Sequence, residues 1–536
     1  MNRILSFVLI FMFCSIGYSQ SVQPSLSNIL RYGKGKKTLS NFEQSFSYFE
    51  NITDVRLAFP QSLTIGFRLL ADTPPEIGDE FQGLKRRFIE FSKDDFSIRA
   101  GNFSHLFGRG LTLNLFDNRG IAYDTWMDGI KASYKISKVK ATIVGGTLDF
   151  RDSVAFTRHE LYKIRGGNIE FSPIKSLSIA TSFLSADGKI PQGVNNTNIK
   201  NIKTEIPEVS FTFNRSNINY FVSWAQKRTN VLDDKITSLG TGMYSSLSYS
   251  AKGVGVIVDY KNYAFDIRDP YERGDETRVT KMLPFQNPPI AQKEHSYTLL
   301  TRALHPFDFN DEVGLQAETF YGINSSTTIN FNASVASRHN YFDLQNDGFT
   351  FKQKKRVKNY LPTLDKKLSP YWETFLEIEN YFEEHSAIRF GYARRVNFAY
   401  NDFSGIAFSH EQRSTIVPIQ LQYVVNEQYS FIAQSEHEWV YDSYNAQQHY
   451  YNQLVTLSSS YSPIITAAIR YEFSTNDYDV LKQKNWLVGE FGYNFSQAHK
   501  LTISYGKERG GQACSNGVCK YIQPFTGFRM SLQSQI

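Results

Sequence analysis

The sequence is poor in three things: long apolar runs, cysteine, and excess charge of either sign. A helical span needs about twenty consecutive apolar residues, and nothing after the first nineteen comes near that. This excludes a helical membrane protein. Lys and Arg total 58 against 52 Asp and Glu, a formal net charge of +6. The basic residues are scattered, so no nucleic-acid footprint is read. Enzyme motifs are also missing. "RHELY" (158–162) and "SEHEW" (435–439) lack the second histidine of a zinc-protease helix, and no GxSxG turn occurs. The expectation is a non-enzymatic chain with no catalytic residue, no metal and no cofactor.

The only sustained apolar run, Ile4 to Phe13, follows Arg3 and precedes small residues at Gly17 and Ser19. Residues 1–19 read as a secretory signal peptide. Cys14 leaves with it, since the bulky Phe13 is a poor neighbour for a lipid anchor. Cys514 and Cys519 remain, in "GGQACSNGVCK". Asn516-Gly517 calls for a type I′ turn, which sets the two cysteines opposite each other. An oxidising compartment would pair them.

What the chain has in abundance is period two, the strand period. The C-terminal "FTGFRMSLQSQI" puts Phe528, Met530, Leu532 and Ile536 on one face and Arg529, Ser531, Gln533 and Gln535 on the other. Similar runs of nine to eleven residues recur upstream. That is the length with which a tilted strand crosses a membrane. Twenty runs are readable from residue 130 onward, among them 295–304, 371–382 and 387–398, and four more within 42–103. The expectation is an all-β, large antiparallel transmembrane β-barrel of 20–26 strands, with short periplasmic turns and long extracellular loops. Its domains read as signal peptide 1–19, lead-in or first strand 20–40, and barrel 41–536. Strand directions counted from the C-terminus conflict with those counted from the polar insert 265–294. Either a strand hidden in 339–370, such as "DGFTFKQ", or a periplasmic insert would resolve the conflict. No segment reads as a plug.

The inward face carries charge of both signs. A tight hairpin would set Glu373 across from Arg395 and Glu379 across from Arg389, with Glu377 between. These read either as a constriction or as cross-links in a largely filled interior. Arg99, Arg109, Asp124 and Asp128 lie in the glycine-punctuated "SIRAGNFSHLFGRGLTLNLFDNRGIAYDTWMDGI" and read as a lumenal polar network. Lys352, Lys354, Lys355, Arg356 and Lys358 form a basic loop suited to water, to phosphate head groups or to an acidic partner surface. Asp152-Ser153-Val154 fits a short O-glycosylation acceptor pattern, with Ser153 as the site.

"RAGNFSHLFGRGL", "YDTWMDG" and "GKERGGQACSNGVCKYIQPFTGFRMSL" together resemble an uncharacterised family of Bacteroidota, flavobacterial-type outer-membrane β-barrel proteins. The resemblance implies the outer membrane of a Gram-negative bacterium and carries no functional residues. Balanced lumenal charge favours a structural or accessory subunit of an outer-membrane protein assembly, export or surface-lipoprotein machine. The alternative is an outer-membrane channel or porin for solute uptake; a surface adhesin is a third reading. Expected partners are outer-membrane lipid and lipopolysaccharide, other outer-membrane proteins or surface lipoproteins, and no nucleic acid.

Overall fold

The computed structural model describes residues 22–39, 42–60, 62–154, 158–192, 198–265, 269–274, 278–302, 305, 308–383, 385–479, 482–515 and 518–536. The signal segment and the Asn516-Gly517 turn lie outside the described residues. Twenty-four strands form one antiparallel sheet. The first, Gln23–Leu39, pairs with both the second, Phe42–Phe59, and the last, Phe525–Gln535, from Ser27↔Gln535 to Lys37↔Phe525. That pairing closes the wall. In hydrocarbon, closure is what gives every backbone N–H and C=O a partner.

The connections sort by length. At the end holding both termini they are two to four residues long, as at 94–95, 137–138, 175–176, 216–217 and 252–253. The other end carries the long ones: 104–126, 265–310, 338–370 and 509–524. Outward residues near the short-turn end are apolar and exposed. Ile143 is 62% exposed, Ile169 54%, Phe183 50% and Leu457 52%. Such a belt is stable only against lipid. The chain is an outer-membrane β-barrel.

Sequence and structure part at 295–304. The described residues of that run, 295–302, are not a wall strand. They lie inside the lumen and end in the short helix Thr298–Arg302. Nor does "DGFTFKQ" hide one, because Phe351–Lys355 pairs with Asn340–Leu344 in a loop hairpin. With 295–304 removed and the five strands between Gln23 and Phe103 included, the twenty-four remain and the direction conflict disappears.

Several strands outrun the membrane. Arg158–Ile174 has 17 residues and Asn198–Arg215 has 18. At about 3.3 Å per residue the first runs roughly 55 Å, well beyond the ~25 Å apolar band of such barrels even when tilted. Along these strands the apolar face changes sides. Ile169 and Phe171 point outward near the short turns, whereas Tyr162, Ile164, Leu184, Ile190 and Ile206 point inward near the long loops and are almost fully buried. Outward neighbours there are polar, as at Lys163, Asp187 and Lys203. An inward apolar face in a barrel must bury itself against something filling the lumen.

Candidate functional site

Two in-folded loops fill it. The first is 104–126. Leu111, Leu113 and Thr112 are fully buried, with Phe107 and Ile121 almost so. Gly108 and Gly110 take positive φ (54° and 90°), conformations that glycine adopts without strain. Gly110 also lies against the Asn287 carbonyl, so a Cβ there would collide with backbone. The Thr112 hydroxyl donates to Glu208 on the wall.

The second loop is the stretch 278–302 of the insert 265–310. Pro284 opens a turn closed by Gln286 N donating to the Leu283 carbonyl (2.8 Å), and Pro288 and Pro289 hold the chain extended after it. It meets the first loop in the middle of the lumen. Asn114 N donates to the Phe285 carbonyl (2.7 Å), the Gln286 amide to the Leu111 carbonyl (3.0 Å) and the Tyr123 hydroxyl to the Pro284 carbonyl (2.6 Å). Phe285 packs edge-on against Tyr162 of the wall at 5.4 Å. This junction is the larger apolar cluster of the molecule.

From there residues 293–302 run along a row of wall glutamates. Lys293 pairs with Glu318. His295 Nε2 meets Glu373 at 2.7 Å, and the Tyr297 hydroxyl donates to Glu377 at 2.6 Å. Glu436 accepts the backbone N–H groups of Thr298 (2.9 Å) and Leu299 (2.7 Å), capping the short helix. Arg302 pairs with Glu472. Lys293, His295 and Tyr297 alternate because the segment is extended and presents every second side chain to the wall. That alternation is why the stretch reads as a strand in sequence. Leu299 and Leu300 sit against Phe375, Ala393, Ile416 and Leu454 in a second, smaller cluster.

The third long connection, 509–524, folds toward the same place. Cys514 and Cys519 form a disulfide (S–S 2.04 Å) in the hairpin Gly511–Ser515/Val518–Ile522. Ala513 and Val518 pack on the larger cluster, and Lys520 pairs with Asp152. Toward the short-turn end small hydroxylated side chains are interspersed with charged ones on the inward face. Ser133 meets Thr142 (3.0 Å), Ser178 donates to Glu170 (2.8 Å) and Ser430 meets Ser460 (2.6 Å).

The residues singled out in sequence fall in different places. Glu373 lies opposite Arg395, and Glu379 opposite Arg389, each pair in contact at 2.7 Å. Arg395 also donates to the Leu300 carbonyl at 2.9 Å, so this pair grips the plug. Glu377 holds Tyr297. Arg99 binds Glu90 (3.1 Å) and lies over the Phe88 ring. Asp124 takes Arg86 (2.9 Å), and Arg109 stands over Phe221 of the wall. Asp128 does not join them. It shares the outward parity of Ile130 and meets Arg87 at 3.7 Å. Lys352, Lys354 and Lys355 sit on the loop hairpin outside the lumen, with Arg356 and Lys358 following. Ser153 follows directly on the strand Val139–Asp152. Sequence reasoning missed the plug, and with it Lys293, His295, Glu436, Arg302 and Glu472. Among the described residues no group of three or more His, Cys, Asp or Glu is placed to hold a metal ion.

The model of the family described as "Family of unknown function (DUF6029)" matches residues 28–536. The chain belongs to that family. No curated protein matches it in sequence. Solved structures do match in shape. The siderophore receptor PirA from Pseudomonas aeruginosa is 7% identical, with a TM-score of 0.48, over 97% of this chain and 81% of that one. The copper transporter OprC is 10% identical at 0.43 over the same shares, and the unliganded ferric citrate transporter FecA is 9% identical at 0.43, over 97% and 79%. At such identities the likeness concerns the barrel fold. The expected assembly or accessory subunit is withdrawn, and these neighbours, at TM-scores below 0.5, bear on the barrel fold alone. The uptake alternative is taken up instead.

Proposed function

We propose that the protein is a non-enzymatic outer-membrane channel for solute uptake whose lumen is closed at rest by its own loops. One observation carries this reading: the plug is docked on the wall largely through carboxylates. Its segment 293–302 reaches Glu318, Glu373, Glu377, Glu436 and Glu472. Apolar burial alone would weld a loop permanently into the core. Carboxylates released on undocking are resolvated by the water that enters the lumen, so these contacts can break and re-form, while Phe285, Leu299 and Leu300 hold the resting state. A barrel of twenty-four strands is too wide to be filled by wall side chains alone, and displacing this loop frees a polar passage to the short-turn half.

The long loops face the outside and the termini the periplasm of a Bacteroidota-type outer membrane. The apolar belt contacts lipid, and the exposed lysines of the hairpin near 352–355 suit lipopolysaccharide phosphates. The test is conductance in planar bilayers. The full chain is expected to be nearly silent with brief openings. Replacing 278–302 by a short Gly-Ser linker is expected to give a wide, steady pore. A deletion variant that inserts and folds yet stays silent would refute the reading.

A further inference from the structure

Between the disulfide hairpin and the opposite wall lies a cavity of about 1060 Å³. Its volume is at the top of the ~300–1000 Å³ range that encloses a drug-sized ligand. Two kinds of side chain line it, and they differ in how they are used. All the charged groups but Glu438 are in ion pairs. Arg509 holds Glu472 at 2.8 Å and Asp479 at 3.6 Å, Arg302 holds Glu472, Asp442 binds His410 at 2.8 Å, and Lys520 pairs with Asp152. Among the neutral groups Asn445 donates to Asn476 (2.8 Å), Asn452 to Glu438 (2.8 Å) and the Tyr444 hydroxyl to the Phe408 carbonyl (2.7 Å), but three amides stand apart. Gln412, Gln512 and Gln523 line the cavity, and no protein partner takes their side-chain amides among the described residues. Each amide offers two donors and an acceptor with two lone pairs. Tyr478 is 62% exposed and Tyr521 51%, and both rings border the same space; Tyr444 borders it too, with one face stacked on His410 at 4.4 Å.

We propose that this cavity binds a neutral oligosaccharide of a few sugar rings, the solute class of the channel. An anionic ligand would have to break one of the existing ion pairs, and a cationic one would find only Glu438, which is buried and already accepts from Asn452 at 2.8 Å. An apolar ligand would strand the three amides without partners. A sugar meets both demands. Its adjacent hydroxyls donate and accept at once, matching primary amides, and its C–H faces lie flat on tyrosine rings. Glu438, the remaining carboxylate, accepts from Asn452 at 2.8 Å and keeps lone pairs for a hydroxyl. A neutral peptide is the nearest competitor, but it would offer no run of vicinal hydroxyls to three glutamines.

As a solute assignment the inference rests on the channel reading, but its binding test does not. The full chain in detergent micelles is titrated calorimetrically with a panel of neutral linear and branched oligosaccharides of three to six sugars. A neutral hexapeptide and a sulfated oligosaccharide are the comparators. At least one neutral oligosaccharide is expected to bind at submillimolar concentration, with the comparators at least tenfold weaker. Tyr478→Ala and Gln523→Ala, both outside the wall strands, are each expected to weaken it about tenfold without moving Tm. Binding unchanged in both variants, preference for the peptide or the sulfated sugar, or no saccharide binding at 10 mM would each overturn the proposal. Saccharide binding by a barrel that never conducts would leave the site intact and sink the channel reading alone.

Discussion

Replacing Glu436 with alanine should loosen the plug. Its carboxylate is fully buried and accepts two backbone N–H groups, from Thr298 at 2.9 Å and Leu299 at 2.7 Å, plus the Gln434 amide at 2.7 Å. The first two bonds exist only while the plug is docked. A hydrogen bond to a charged group contributes roughly 1.5–3 kcal/mol net. Losing two therefore disfavours docking by about 3 kcal/mol at least, roughly a hundredfold in the ratio of open to closed states. The barrel itself should persist, because Glu436 makes no ion pair within the wall among the described residues. Single-channel recording in planar bilayers reads that ratio directly. E436A should open about a hundred times more often than wild type with an unchanged single-channel conductance. Unchanged opening in a folded, inserted E436A would refute the docking argument. A changed conductance would mean that the pore wall had been altered instead.

Other outcomes follow from the same geometry. Glu373→Ala strands Arg395 and His295 in the interior and should lower stability by about 3–5 kcal/mol, measured by urea unfolding in micelles. Leu376→Arg places a charge on the outward belt, where Leu376 is 39% exposed; near the midplane that costs about 2–4 kcal/mol, seen as a lowered refolding yield into vesicles. The double change C514S/C519S opens a small loop worth about 2 kcal/mol on the chain-entropy estimate; proteolysis near residue 515 should speed up while the heat-modifiable gel mobility of the barrel stays the same. Gly129→Ala should misfold, because its Cβ would meet the Gly145 carbonyl and Gly146 Cα of the adjacent strand; a loss of that gel shift would register it.

Much of the wall was legible because lipid imposes a simple code. Wherever outward residues face hydrocarbon, as along 371–382 and 387–398, alternation marks the strand and its partner; hence the expected pairs Glu373–Arg395 and Glu379–Arg389. The code fails above the membrane. In Arg158–Ile174 the inward residues turn apolar and the outward ones polar, so the run read as 165–172 stops where the bilayer stops. That switch of parity was itself the missed signal. Apolar residues facing inward, as at Tyr162 and Ile164, require a filled lumen. The plug hid for a related reason. "KMLPFQNPPIAQKEHSYTLLTR" carries its apolar residues in a proline-rich stretch with no regular period, followed by an alternating run. Alternation reports an extended chain against a surface, and it does not say whether that chain is part of the wall or docked on it. Asp128 shows the limit of composition alone. Its neighbourhood is a charged network, but its parity turns it outward.

The most direct test of a lumen shut by its own loop is to tie that loop down. Tyr297 and Glu377 touch only when the segment is docked (2.6 Å), so cysteines introduced at both positions can be joined by a short bis-maleimide. In bilayers the linked protein should fall silent while the unlinked double variant opens more often than wild type. Equal conductance with and without the link would contradict a gate formed by residues 278–302.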